Sequence, residues 1–287
     1  MTISTPTRRA PARWIRAGWA LIRACHPEPA LAVTVGVTAL AAASGRSVAG
    51  LAAVATAVLA GQLATGWSND WLDADRDAAV GRTDKPVATG EVSRRLVGVA
   101  ALVAGLACVP LSLLSGWQAG LVHLAAVGCA LAYNARLKST PFSALPYALA
   151  FAAAPAFVTL ALPGSPWPPV WLTVAGAALG AGAHFANVLG DLEEDAATGI
   201  RGLPHRLGRR ASEAIAAGLM ALVAVVLTAG PPGPPRPIAW GILGVTAIAL
   251  GLGAVLGRRP GSPALFRAVL VAAVCDVALL LLSGTNL

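Results

Sequence analysis

The stretch SNDWLDADRDAAVG, residues 68–81, sets four aspartates (Asp70, Asp73, Asp75 and Asp77) in a chain of 287 residues that has only 13 acidic ones. The rest of the chain is apolar: 56% of its residues are hydrophobic and 12% charged, with a mean hydropathy of +0.71. A soluble domain carries about 25% charged residues. Half that share, together with long apolar runs, predicts an all-α polytopic membrane protein. Its apolar residues are mostly Ala, Leu, Val and Gly, small enough to let helix backbones approach closely.

Apolar runs fall at 29–44, 47–66, 96–115, 118–135, 143–163, 169–187, 212–230, 238–256 and 264–284, giving about nine transmembrane helices. Breakers separate them, among them PGSPWPP at 163–169 and PPGPPRP at 231–237. The eight tryptophans lie near the proposed helix ends, where an interfacial belt would put them. The loops sort by charge: 19 of the 21 Lys and Arg residues fall on one side and only Arg46 and Arg236 on the other. The positive-inside rule then predicts a cell-membrane protein with its N-terminus in the cytoplasm and its C-terminus outside. The formal charge of +8 follows from that topology and needs no nucleic-acid partner. The basic N-terminal segment, 1–24, lacks the apolar core and cleavage site of a signal peptide and is expected to be retained, ahead of a single membrane domain over 25–287. The four cysteines have no metal-site spacing and read as small buried apolar residues.

Ten of the 13 acids sit in two loops on the positive side, at about 66–95 and 188–211. The two loops share one pattern. Asn69, Asp73, Asp77 and Gly81 match Asn187, Asp191, Asp195 and Gly199 at a constant offset of 118 residues, and four apolar runs separate the copies. This predicts two four-helix repeats plus one helix. Residues at i, i+4 and i+8 share a helix face, so each copy forms a row if its helix continues past the membrane. Asp70 lies close to the first row, and Asp75 points elsewhere. Rows of carboxylates repel one another unless a hard cation bridges them. Oxygen-only ligands suggest Mg2+, which binds through few carboxylates and keeps sites for phosphate oxygens. Two facing rows would present such ions to a diphosphate. Arg82, Lys85, Lys138 and Arg201 lie near the rows and are candidates for the remaining phosphate oxygens.

These residues resemble the UbiA superfamily of intramembrane prenyltransferases. Asn69, Asp70, Asp73 and Asp77 match its first signature, and Asp191, Asp195 and Gly199 match its second. GRTDKPVATGEVS, from Gly81, and YNARLKSTPFSALPYA, at 133–148 with Tyr133 and Lys138, look like the family's continuations. The resemblance implies nine helices around a central cavity that opens to the lipid bilayer and is capped by the two acidic loops. It implies metal ligation by Asn69, Asp70, Asp73, Asp77, Asn187, Asp191 and Asp195, with Asp73 and Asp191 central to catalysis. Arg82, Lys85, Lys138, Arg201 and Tyr133 are then expected at the prenyl diphosphate. The activity implied is transfer of the isoprenoid to a hydrophobic acceptor, an aromatic or quinone-precursor ring. A UbiA-type terpene cyclase, which needs no acceptor, is the alternative, and a cation-using transporter is a third reading. The chain departs from the family pattern after Gly199, where it reads IRGLPHRLG, and at its first helix, where Arg23 and His26 stand. His123 and His184 lie within apolar runs and read first as structural; Asp276 is an intramembrane acid, a functional hint by default, for which pairing or a hydrogen bond inside the last helix is the preferred reading.

Overall fold

The computed structural model describes residues 10–259 and 262–283. Arg8 and Arg9 of the basic segment, and the extreme C-terminus, lie outside the described residues. The described chain is helical: α1 (Ala10–Ala24), α2 (Pro27–Ala43), α3 (Val48–Ala79), α4 (Arg94–Leu113), α5 (Trp117–Ala135), α6 (Leu145–Thr159), α7 (Val170–Ala197), α8 (Leu203–Leu207), α9 (Arg209–Ala229), α10 (Pro237–Leu256) and α11 (Ala264–Ser283), with a 3-10 turn at Leu137–Ser139. Each predicted apolar run contains one long helix. Six of them (α3, α4, α7, α9, α10 and α11) are long and apolar enough to cross a membrane, whereas α2 and α6 are shorter apolar helices. The chain is therefore a multi-pass membrane protein.

The packing repeats as the sequence does. α2 packs on α3, α3 on α4 and α4 on α5; in the second half α6 packs on α7, α7 on α9 and α9 on α10. α11 lies against α9 and α10 on one side and reaches α2 on the other, so it closes the bundle between its first and last helices. α1 is an addition to this plan. Ala20 and Ala24 are buried against Val92 and Val97, while Trp14, Ile15, Trp19 and Ile22 remain exposed on its other face.

Hydropathy marks where the apolar residues stop, which is not where the helices stop. The second run was expected to end at 66 and the sixth at 187, yet α3 continues to Ala79 and α7 to Ala197. Both cap segments therefore open as helix, and the acidic rows stand on helix ends. Trp67, expected at a helix end, lies within α3 and donates from Nε1 to the Leu21 carbonyl at 2.9 Å. The matched glycines stop both helices. Gly81 has φ 69° and Gly199 φ 82°, a left-handed conformation open to a residue without Cβ. In the first copy the Gly81 N–H donates to the Ala78 carbonyl at 3.2 Å and the Arg82 N–H to the Asp77 carbonyl at 3.0 Å. In the second, Gly199 donates to Ala196 at 3.2 Å and Ile200 to Asp195 at 3.0 Å. This is the Schellman arrangement twice over.

Small residues bring α6 and α7 together. A Cβ on Gly176 would stand 2.6 Å from the Phe151 carbonyl oxygen, and one on Gly180 would stand 2.7 Å from Phe151 Cβ and closer still to the Tyr147 carbonyl. Gly128 on α5 has open space around it. Gly180→Ala should therefore destabilise by about 1–3 kcal/mol through overpacking. Gly128→Ala should be neutral or gain up to about 1 kcal/mol of helix propensity. Thermal unfolding of the two variants in one detergent tests the contact, and equal melting temperatures would refute it.

Candidate active site

Both rows line one cavity of about 500 Å3 at the end of the bundle where α3 and α7 outrun their apolar segments. Asn69, Asp73 and Asp77 face it from α3, and Asn187, Asp191 and Asp195 face it from α7. Asp75 does not: its side chain is 85% exposed and pairs with Arg94 at 2.8 Å. The matched position on α7, Glu193, is 90% exposed and lies 3.7 Å from Arg209. Arg94 and Arg209 open the helices that follow. Arg94 Nε also donates to the Trp71 carbonyl at 3.0 Å, and Arg209 Nη1 donates to the Leu189 carbonyl at 3.3 Å. Positions 71 and 189 differ by the repeat offset of 118. The off-row acid in each copy thus pairs with the first residue of a following long helix, α4 in the first copy and α9 in the second.

Asn69 has a fixed orientation. Asn134 donates from Nδ2 to the Thr65 carbonyl at 2.8 Å and to Ser68 Oγ at 2.9 Å, so its Oδ1 must face Asn69. Asn69 Nδ2 donates to that Oδ1 at 3.4 Å and to Asp73 Oδ2 at 3.2 Å. Its own Oδ1 remains as an acceptor or metal ligand on a residue that lines the cavity.

The other expected residues divide. Lys138 reaches Asp73, with its Nζ bonded to Oδ1 and 2.6 Å from Oδ2. Burial pushes the Lys138 ammonium below its ordinary value, and the Asp73 charge opposes that shift. Tyr133 lines the cavity edge-on to Tyr147 at 5.0 Å. Arg82 forks onto Asp84 with two contacts of 2.8 Å and reaches Glu194 on α7 at 2.8 Å, so it clasps the two caps together. The hydrogen-bonded fork raises the Arg82 guanidinium and lowers Asp84 to about 2. Because the folded value is depressed, this pairing is complete above the ordinary carboxylate range. It is lost only as pH falls through about 2, which leaves the neutral range unaffected.

Asp70 sits behind the row, outside the cavity wall. It is 1% exposed, and its Oδ1 lies 2.8 Å from Lys85 Nζ and 2.9 Å from His26 Nε2. Lys85 Nζ lies 2.9 Å from the same His26 nitrogen. His26 holds a left-handed backbone, φ 55°. Such non-glycine strain persists where the surroundings fix it. Asp70 therefore anchors Lys85 at the cavity wall. Arg201 is exposed and is not among the lining residues; Ile200, at the position matching Arg82, lines the cavity instead.

Several lining groups escaped the sequence reading. Arg76 lies on α3 one turn from the row, 2.6 Å from Asp73 and 3.8 Å from Asp77. The i, i+3 spacing from Asp73 was a readable signal. Asn134 stands beside Tyr133 in the quoted segment. Tyr147, Glu194 and His205 come to the wall only through tertiary packing.

Charge decides what the cavity can hold. Six carboxylates (Asp73, Asp77, Asp84, Asp191, Glu194 and Asp195) face four cations (Arg76, Arg82, Lys85 and Lys138). The surplus is negative, so a polyanion alone would be repelled, whereas divalent cations would be welcome. The donors are carboxylate and amide oxygens, the set that suits Mg2+ rather than a thiolate-seeking metal. Among the described residues no three His, Cys, Asp or Glu side chains converge tightly enough to enclose an ion unaided. Mg2+ commonly completes its shell with water and substrate phosphate, and an open donor set fits that habit.

A second, apolar chamber of about 320 Å3 lies deeper in the bundle. The two chambers share Gln62 and Thr65 of α3 as wall residues. Val33, Val37, Phe151, Phe157 and Leu280 line its sides, and His123 is its ionisable wall residue.

Residues 30–275 match the UbiA prenyltransferase family. Digeranylgeranylglyceryl phosphate synthase of Methanopyrus kandleri is 29% identical over 234 residues, covering 78% of this chain and 82% of that protein. The fold matches that of a UbiA homologue from Archaeoglobus fulgidus solved with GPP and Mg2+. The TM-score is 0.67 at 17% identity, over 93% of this chain and 100% of the other. It also matches an apo UbiA homologue from Aeropyrum pernix K1, with a TM-score of 0.66 at 19% identity over 93% and 98% of the two chains. Two matched acidic helix ends over one cavity, and a family match spanning most of the chain, lead to one conclusion: this protein belongs to the UbiA prenyltransferase family and is a prenyltransferase.

Proposed function

We propose that the protein transfers an isoprenoid from a prenyl diphosphate to a hydrophobic acceptor, an aromatic or quinone-precursor ring, in a Mg2+-dependent reaction. The observation that carries this reading is the stacking of the polar chamber on the apolar one with Gln62 and Thr65 as common wall. A molecule with a highly charged head and a hydrocarbon tail fits that pair of volumes, and a uniformly polar or uniformly apolar substrate does not.

In this reading Asn69, Asp73, Asp77, Asn187, Asp191 and Asp195 hold the metal, with Asp73 and Asp191 at its centre. Bound Mg2+ supplies the charge that stabilises the departing diphosphate oxygens. Arg82, Lys85 and Lys138 bind phosphate oxygens, and Arg76 joins them in the place the sequence gave to Arg201. Asp70 acts through Lys85, which it holds in position. Tyr133 and Tyr147 form the wall beside the reacting carbon. The apolar chamber takes the tail and keeps water from the allylic cation. The charge asymmetry of the loops supports a polar chamber on the cytoplasmic face, with the N-terminus in the cytoplasm and the C-terminus outside.

The test is a product assay by mass spectrometry on the purified protein in detergent. Farnesyl or geranylgeranyl diphosphate is supplied with Mg2+ and with aromatic, quinone-precursor and glycerophosphate monoether acceptors. The M. kandleri relative's name makes the last class necessary. Prenylated acceptor and Mg2+-dependent diphosphate release are expected, and both should stop with EDTA. A cyclic terpene formed without acceptor would replace transfer by cyclisation. No Mg2+-dependent release would sink both and favour a transporter.

The row geometry makes a separate prediction. Asp73→Ala and Asp191→Ala should each cost about 100-fold or more in kcat with the fold intact, the scale seen when a preorganised electrostatic partner is lost. Asp75→Ala should stay within a few-fold of wild type. Equal losses at Asp73 and Asp75, each measured on folded protein, would refute the single-face site.

A further inference from the structure

His123 stands apart from every charged group of the site. It projects from α5 into the wall of the apolar chamber and is 8% exposed. Its ring stacks on Phe157, with centroids 4.6 Å apart and planes at 22°. Nδ1 lies 2.8 Å from Ser112 Oγ. Ser112 is fully buried, and its hydroxyl hydrogen is given to the Cys108 carbonyl at 2.6 Å. Ser112 Oγ therefore accepts from His123, so the proton of the neutral ring sits on Nδ1 and Nε2 keeps a bare lone pair.

His123 is one of the residues that line the apolar chamber. Nε2 has no hydrogen-bond partner among the described residues, and it is not one of the enclosed, unpartnered atoms. It lies 3.5 Å from where a Cβ on Gly61 would stand, so the glycine leaves this edge of the ring open. Gly61 is one helical turn below Thr65, about 6 Å along α3. Thr65 marks the junction of the two chambers. A basic nitrogen in apolar surroundings without a partner is costly to keep. An isoprenoid tail has no hydrogen-bond donor to satisfy it.

We propose that His123 is the group that takes the proton released when the prenyl cation is captured, and that it is a catalytic residue of the reaction proposed above. This inference rests on that reading. The C1–O bond of the prenyl diphosphate breaks, and its electron pair leaves on the diphosphate oxygen. An electron pair of the acceptor forms the new bond to C1, and the acceptor atom that gave the pair loses its proton. The Nε2 lone pair takes that proton, and the imidazolium keeps its Nδ1–H bond to Ser112. The proton passes to water or to the released diphosphate as the products leave. If the cation is instead captured by its own chain, the same nitrogen takes a proton from the carbon beside the final cation, leaving an alkene.

His123→Phe keeps the ring stack without a base, and His123→Gln keeps a hydrogen-bonding group without a base. Ser112→Ala removes the acceptor that sets the tautomer. Each variant is incubated with radiolabelled geranylgeranyl diphosphate, Mg2+ and the acceptor panel above. Two readouts are taken: diphosphate release, and the distribution of label among all prenyl products. Wild type is expected to release diphosphate and to direct label to one coupled or cyclised product. His123→Phe and His123→Gln are read as product formed per diphosphate released, so that any change in tail binding at the chamber wall divides out. Label reaching the wild-type product should fall about 100-fold, the lower end of a general base's contribution, and appear as prenyl alcohol and linear polyene. Ser112→Ala should fall between them and wild type. A merely structural role would lower both readouts together and leave the distribution unchanged. An unchanged distribution in both His123 variants overturns the assignment of the base. Absence of diphosphate release in the wild type overturns the transferase reading itself, and this proposal with it.

Discussion

Six carboxylates and four cationic side chains face one cavity. Everything distinctive about this end of the bundle follows from that balance. Like charges on one helix row repel, so Asp73 is bound by both Lys138 and Arg76. Asp70, one residue off the row and buried, is bound by Lys85. An unpaired buried charge would be far more costly than either pair. Arg82 carries the balance across the gap by pairing with acids on both caps. The helices extend past the apolar bundle because the row needs a rigid i, i+4, i+8 frame, and Gly81 and Gly199 end that frame in the same way.

The duplicated row was legible because it uses a short-range rule: four-residue spacing on a helix, repeated at a fixed offset. The exposed, off-row position of Asp75 followed from the same rule. The nine apolar runs were legible as helices, since hydropathy marks apolar segments reliably. Their ends were not. Residues 67–79 are polar, and a hydropathy window closes before them although the backbone continues as helix. The partnership of Asp70 with Lys85 and His26 was also hidden. It joins residues on three segments through tertiary packing, and no spacing rule links positions 26, 70 and 85. Arg201 was a candidate because it lies just past the second row. The offset of 118 aligns Arg82 with Ile200, and one residue past a helix stop is enough to turn a side chain away from the wall.

The two copies share a frame and differ in charge. Asp70 of the first is matched by Val188 of the second, and Arg82 by Ile200. Both second-copy residues are buried and apolar. The duplication thus preserved the row and the helix stop, and in each copy an arginine reaches back to the matched position 71 or 189, although Arg94 and Arg209 lie 115 residues apart. It did not preserve the cations. On the first cap, Asp73, Asp77 and Asp84 stand beside Arg76, Arg82 and Lys85. On the second, Asp191, Glu194 and Asp195 line the wall with no lysine or arginine of their own copy among the lining residues.

This asymmetry gives a pair of similar helices different work. A cap with matched charges is close to neutral and can offer its guanidinium and ammonium groups to phosphate oxygens. A cap with three carboxylates and, of its own copy, only His205 beside them cannot. Burial lowers the His205 imidazole toward its neutral form, so it adds little positive charge near Asp195. The second cap is therefore the one that most needs a divalent cation, and the first is the one toward which a diphosphate should lean. Lys138, between the copies in sequence, already bonds to the first-cap row. The two caps thus face each other across the cavity with unequal charge. Arg82 spans that gap, with one arm on Asp84 and the other on Glu194, and so couples the two halves of the duplication at the point where their charges differ most.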